Sequence, residues 1–158
     1  MSEPCCSGLG CAATFPEQRS SECPASGSTG MPVDRTTVAA LSRGRVPARQ
    51  EFRLCRDPDC EVVYYGSAGT VLAVEDVTVQ PGFKDGSDGL ICYCFLHHER
   101  DLAGQIGSVG RADVFESIKA EVEAGNCACE VRNPAGKCCL GDVQAFIRRA
   151  EEQQGVTA

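Results

Sequence analysis

The stretch Phe52-Arg-Leu-Cys55-Arg-Asp-Pro-Asp-Cys60-Glu-Val-Val-Tyr-Tyr65 sets two cysteines on either side of a short turn. Pro58, between two aspartates, signals that turn, because proline restricts φ and aspartate side chains bond the local backbone. The flanking runs, Phe52–Cys55 and Glu61–Tyr65, are rich in Val, Tyr and Phe and predict two strands. The two cysteines should therefore face each other across a tight knuckle.

Elements on both sides of this knuckle extend the prediction. Residues Thr70–Gln80 predict a further strand that forms a hairpin with Glu61–Tyr65, since Gly66–Gly69 separates the two runs. An apolar-patterned stretch predicts a brief helix near Val38–Leu41. The Gly-, Ser- and Asp-rich segment 81–89 has the composition of a linker and predicts a boundary between two subdomains.

The second half of the chain has apolar residues at helical spacing. His98–Ile106 carries Leu102 and Ile106 on one face, and Arg111–Glu123 has a longer apolar stripe that ends before Gly125. A third helix is predicted around Val143–Ile147. Strands followed by helices predict an α+β fold in which a small β lobe precedes a helical lobe.

Composition limits the functions that this chain can have. The 158 residues include 12 cysteines, and the formal net charge of −7 disfavours nucleic acid as a partner. No apolar run approaches the roughly 18 residues that a membrane span needs, and the first residues lack the pattern of a secretory signal. We therefore expect a cytoplasmic protein without membrane insertion, whose cysteines are metal ligands or redox thiols rather than disulfides.

The first group of cysteines suggests a zinc site. Cys55 and Cys60 flank the knuckle, and Cys23 lies in Cys23-Pro-Ala-Ser26-Gly, which resembles half of a zinc knuckle with serine in place of its second cysteine. A serine hydroxyl is a poor zinc ligand at neutral pH, so a fourth ligand is expected from elsewhere. Cys11 is the nearest spare thiol and is our predicted fourth ligand, although Cys5 and Cys6 compete for this position. Zinc is expected to hold this lobe together rather than to react.

The second group suggests an iron–sulfur cluster. It consists of Cys92-Tyr-Cys94, Cys127-Ala-Cys129 and Cys138-Cys139. A [2Fe–2S] cluster needs four thiolates, two for each iron, and two cysteine loops joined by helices can supply them. The spacing of these pairs resembles that of bacterioferritin-associated ferredoxin. The residues alone leave all six cysteines as candidates.

Several blocks together resemble the N-terminal domain of CopZ-type copper chaperones. They are the knuckle stretch, Val79-Gln-Pro-Gly-Phe-Lys84, Cys92-Tyr-Cys94-Phe and Asn133-Pro-Ala-Gly-Lys-Cys138-Cys139, within a match over roughly residues 22–148. The resemblance implies a zinc-binding lobe joined to a ferredoxin-like [2Fe–2S] lobe. It also implies Cys92, Cys94, Cys129 and Cys139 as the cluster ligands, which leaves Cys127 and Cys138 as spares. Its zinc ligands correspond to Cys23, Cys55, Cys60 and the position of Ser26.

The prediction for the whole chain follows from these two centres. A flexible extension (1–21) precedes a zinc-binding lobe (22–85), a [2Fe–2S]-binding lobe (86–152) and a frayed tail (153–158). The predicted function is electron transfer by the cluster in copper or other soft-metal homeostasis, with reduction of Cu(II) to Cu(I) as one use and a metal-transport protein or electron donor as partner. The alternatives are a metallochaperone or a soft-metal sensor that binds Cu(I) or Hg(II) through spare thiols such as Cys5, Cys6 and Cys11. No grouping at catalytic spacing indicates an enzyme of the classical kind.

Overall fold

The computed structural model describes residues 21–109, 113–153 and 155. The first part contains four short strands and one helix, and the second contains a two-stranded ribbon and four helices. The elements in chain order are β1 (Met31–Val33), α1 (Arg35–Leu41), β2 (Phe52–Leu54), β3 (Val62–Gly66), β4 (Val71–Ala73), a 3-10 helix (Val74–Asp76), β5 (Leu90–Cys92), β6 (His97–His98), α2 (Glu99–Val109), α3 (Val114–Glu123), α4 (Cys129–Arg132) and α5 (Leu140–Gln153).

Strands β1 to β4 form an antiparallel sheet in the order β1-β2-β3-β4, which together with α1 we call the sheet lobe. In the β2–β3 pairing, Leu54 lies opposite Tyr64, and both side chains are almost fully buried. Helix α1 contributes Val38, which has no exposed surface, to the same apolar cluster. The Asp34 carboxylate caps this helix by accepting a 2.7 Å hydrogen bond from the Thr36 N–H. The predicted helix near Val38–Leu41 is confirmed and begins earlier, at Arg35.

The predicted hairpin is confirmed, but the predicted strand Thr70–Gln80 is mostly wrong. Strand β4 stops at Ala73, and the chain continues as a 3-10 helix. The cause is local, because the Asp76 carboxylate accepts a 2.9 Å hydrogen bond from the Ala73 N–H and so holds a turn where a valine-rich run suggested a strand. Strand β1, which pairs with β2, was not predicted.

Helices α2, α3 and α5 surround a second apolar cluster, and with α4, β5 and β6 they form what we call the helical lobe. The predicted stripes are confirmed, since Leu102, Ile106 and Ile118 are at most 1% exposed. Gly125 ends α3 with a φ of +77°, as a glycine after a helix commonly does. No helix in the described part of the chain is long and apolar enough to cross a bilayer.

Two hydrogen bonds join the sheet lobe to the cysteine-bearing part of the helical lobe. The buried Tyr64 hydroxyl donates to the Pro134 carbonyl over 2.8 Å, and the Thr37 hydroxyl donates to the Glu130 carbonyl over 2.7 Å. Gly136 is required at this contact, because its φ is +66° and a Cβ there would lie 2.6 Å from the Thr37 Oγ1. The sheet lobe therefore supports α4 and the loop that leads to Cys138 and Cys139.

Candidate metal centres

Three cysteines of the sheet lobe form a group with the dimensions of a metal site. The Sγ atoms of Cys23, Cys55 and Cys60 all lie within 4.8 Å of one another, and those of Cys23 and Cys60 are 3.9 Å apart. Four thiolates placed tetrahedrally around zinc at about 2.3 Å are separated by about 3.8 Å. Cys23 and Cys55 are buried, and Cys60 is partly exposed. The donor set fits zinc or another thiophilic ion.

Two turns aim these thiols at one point. Cys55 follows β2, and its N–H donates to the Val63 carbonyl, so the strand pairing fixes where the knuckle begins. Within the knuckle the Asp57 carboxylate accepts from the Asp59 N–H at 3.1 Å, which confirms that this aspartate forms the turn. The other turn starts at Cys23, whose carbonyl accepts from the Gly27 N–H at 2.8 Å, and Gly27 adopts a φ of +73°.

Ser26 also faces this group of thiols. Its Oγ lies 3.6 Å from the Cys55 Sγ and accepts a hydrogen bond from the Ser28 N–H. Burial by itself would raise the pKa of Cys23, but the N–H groups of Ser26 and Ala25, with the Ser26 hydroxyl, hold that pKa below its ordinary value. Backbone donors directed at sulfur favour a thiolate, which is the form that binds metal.

Burial, followed by contact with the Cys23 thiol, raises the pKa of Cys60. The metal-free group therefore holds at least one proton that must leave when a cation binds. The predicted fourth ligand, Cys11, and its competitors Cys5 and Cys6 lie outside the described residues.

A buried lysine supports the knuckle. Lys84 is 3% exposed, and its Nζ donates to the carbonyls of Asp57, Cys60 and Val62 at 2.6, 2.9 and 2.9 Å. The composition of its segment, 81–89, is that of a linker and does not indicate this contact. The one available signal was the Pro-Gly-Phe-Lys block itself, which belongs to the pattern that carries the resemblance described above.

Four cysteines of the helical lobe form two close pairs. The Cys139 Sγ lies 3.3 Å from the Cys92 Sγ, and the Cys94 Sγ lies 3.5 Å from the Cys129 Sγ. All four are buried, whereas Cys127 is partly exposed and Cys138 is exposed. Each pair joins one cysteine of Cys92-Tyr-Cys94 to one from a later loop. The structure thus brings together the four cysteines that the family resemblance implied, in two sets of two.

Backbone N–H groups point at three of these sulfurs. The Ala128 N–H donates to the Cys94 Sγ at 3.4 Å. The N–H groups of Phe95 and Cys94 help to lower the pKa of Cys92, and that of Cys139 opposes the rise in the pKa of Cys129. Such donors stabilise negative charge on sulfur and are typical of iron–sulfur sites.

One proton is shared within the Cys92–Cys139 pair. The hydrogen bond from the Cys139 thiol lowers the pKa of Cys92 to about 6, and the same contact, with burial, raises the pKa of Cys139. Burial, together with the Cys94 contact, also raises the pKa of Cys129 to about 12. A cation that binds either pair must therefore displace protons from these thiols, so its binding should strengthen as the pH rises.

His97 and His98 end the β-ribbon rather than joining either cysteine group. The His98 ring lies 3.1 Å from the Asp88 carboxylate and 3.4 Å from the Asp101 carboxylate, at the start of α2. These contacts anchor the helix N-terminus to the preceding loop. We assign the two histidines no ligand role.

Comparisons with known proteins bear on the first part of the chain and on the fold. Residues 20–78 match the family model of the CopZ-type zinc binding domain. The X-ray structure of the Archaeoglobus fulgidus CopZ N-terminal domain matches with a TM-score of 0.61 and 23% sequence identity, over 79% of this chain and 96% of that chain. No curated protein sequence matches the chain. The expected resemblance to a CopZ-type domain and the mixed fold with an antiparallel sheet are thereby confirmed.

Proposed function

We propose that this chain is an iron–sulfur and zinc metalloprotein of copper or other soft-metal handling. In this proposal the zinc-binding lobe (22–85) holds one zinc ion and the second lobe (86–152) holds one [2Fe–2S] cluster. The zinc part is supported by the group of Cys23, Cys55 and Cys60 together with the match of residues 20–78 to a zinc binding domain. The copper and soft-metal setting is supported by the similarity to the CopZ N-terminal domain.

The observation that carries the cluster proposal is the division of four buried cysteines into two close pairs. A [2Fe–2S] cluster takes two thiolates at each iron, and the pairs Cys92–Cys139 and Cys94–Cys129 provide them. A single zinc ion would instead favour four thiols around one centre. The N–H groups directed at Cys92, Cys94 and Cys129 suit the negative charge that sulfur carries in a cluster.

The proposed activity is electron transfer. A [2Fe–2S] cluster, when bound, supplies a one-electron couple, which suits reduction of a metal ion such as Cu(II) or of a protein partner. The chain's own contribution is to bury the four thiols and direct N–H donors at them, because both factors tune a cluster's potential. All nine described cysteines are free, as thiolate centres require. The proposed location is the cytoplasm, where thiols stay reduced.

Anaerobic purification of the full chain tests the proposal. We expect about two irons, two sulfides and one zinc per chain, with visible charge-transfer absorption. Two pairs of neighbouring cysteines offer matched variants: Cys139→Ser and Cys129→Ser should lose iron and colour, whereas Cys138→Ser and Cys127→Ser should keep both. A colourless protein that binds only zinc would refute the cluster assignment. Equal loss of iron in a ligand variant and in its matched control variant would also refute it.

A further inference from the structure

Ser26 occupies a corner of the zinc site that the three described thiols leave open. This inference rests on the zinc centre proposed above and concerns the ligand that completes it. Ser26 lies in the same turn as Cys23, and its hydroxyl oxygen contacts the Cys55 sulfur. Its hydroxyl oxygen is therefore the fourth donor atom that the described residues offer.

The separation of this oxygen from one of the sulfurs is that expected between two corners of a tetrahedral site. With zinc–sulfur and zinc–oxygen bonds of about 2.3 and 2.1 Å, the oxygen and sulfur atoms of one tetrahedron are about 3.6 Å apart. The observed separation between the Ser26 Oγ and the Cys55 Sγ is 3.6 Å, beside 3.9 Å between the Sγ atoms of Cys23 and Cys60. The Ser28 N–H donates to the Ser26 Oγ at 3.3 Å and helps to hold this orientation.

The open corner lies on the accessible side of the group. Cys23 and Cys55 are 2% and 0% exposed, whereas Ser26 and Cys60 are both partly exposed. A ligand from outside can therefore reach the corner without moving the two buried cysteines. This differs from a closed structural site, in which four protein thiolates surround the metal.

We propose that this metal site has three thiolates and one exchangeable oxygen corner, which accepts the thiolate of an external small thiol. Because a hydroxyl is a weak zinc ligand at neutral pH, the incoming thiolate replaces the oxygen donor. The thiol gives its proton to water, the metal–oxygen bond breaks and a metal–sulfur bond forms. The fourth ligand of the metal in the sheet lobe is accordingly exchangeable.

Cobalt substitution of the full chain tests this inference, because sulfur-to-cobalt absorption increases with the number of bound thiolates. The wild-type chain should show about three quarters of the absorption of the Ser26→Cys variant, which has four thiols. A small thiol such as 2-mercaptoethanol should raise the wild-type absorption to the level of that variant and leave the variant unchanged. Wild type should also release cobalt to a chelator at least about tenfold faster than Ser26→Cys.

The triple variant Cys5→Ser/Cys6→Ser/Cys11→Ser separates the alternatives. Its spectrum should equal that of wild type, and this comparison does not depend on whether Ser26→Cys folds. If wild type already has four-thiolate absorption and the triple variant loses a quarter of it, an N-terminal cysteine fills the corner. That outcome overturns the open corner while leaving the zinc proposal intact. Absence of both zinc and cobalt binding would overturn the zinc proposal and this inference together.

Discussion

Replacing Lys84 by methionine should destabilise the sheet lobe and weaken its metal site. The substitution keeps the apolar stem but removes an ammonium group that donates to the Asp57, Cys60 and Val62 carbonyls. Two of these carbonyls belong to the knuckle turn that carries Cys55 and Cys60. The lysine therefore holds the shape of the turn.

The expected magnitude follows from these three bonds. Hydrogen bonds from a charged donor contribute roughly 1.5–3 kcal/mol each, so about 6 kcal/mol is lost with all three. Burial of the ammonium group costs several kcal/mol, and removing it recovers about 3 kcal/mol. The net loss of about 3 kcal/mol corresponds to a fall of roughly 6–12 °C in the melting temperature of a chain this size. Loss of the support behind a metal ligand should also lower zinc affinity at least about tenfold.

Thermal unfolding of the zinc-loaded chain, followed by circular dichroism, measures the stability change, and competition with a chromogenic chelator measures the affinity. Lys119→Met is the matched control, since Lys119 lies exposed on α3 and should change neither quantity. If Lys84→Met melts within about 1 °C of wild type and binds zinc equally well, the three hydrogen bonds do not support the knuckle.

Three further perturbations test other parts of the structure. Tyr64→Phe leaves the buried Pro134 carbonyl without its 2.8 Å donor, so thermal unfolding should show a loss of about 1–3 kcal/mol, and an unchanged melting temperature would contradict this contact between the lobes. Burial raises the pKa of Glu99 above its ordinary 4.5, so the stability linked to its protonation is fully present below about pH 4.5 and is lost as the pH rises through the folded-state pKa. Glu99→Gln should therefore be more stable than wild type at pH 7, and urea unfolding should show that this difference shrinks as the pH falls towards 4.5. Chelation of zinc should increase amide hydrogen exchange at Cys23 and Gly27, because their N–H groups form hydrogen bonds within the Cys23 turn. Helix α5 should stay protected. An equal increase of exchange in both lobes would argue against a local role for the metal.

Local signals in the sequence were sufficient for several elements. The knuckle follows from proline and aspartate between Cys55 and Cys60, and the confirmed helices follow from apolar residues three and four positions apart, because both are set within a few residues. Most of the strand predicted over Thr70–Gln80 is absent, and the cause again lies within a few residues. A valine-rich run suggested extension, but the Asp76 carboxylate accepts a hydrogen bond from the Ala73 N–H and turns the chain. Side-chain competition of this kind has no signature in hydrophobic periodicity.

The sequence by itself determined that this chain carries two sets of cysteines suited to metal, a strand-rich first half and a helical second half. Only the tertiary structure decided which thiols meet: Cys23 reaches Cys60 across 37 residues, and Cys92 reaches Cys139 across 47. It also showed that Ser26 faces the zinc site and that Lys84 lies beneath the knuckle. Spacing constrains neighbours along the chain, whereas contacts between distant residues depend on how the sheet and the helices pack, and that packing is set by the whole buried core.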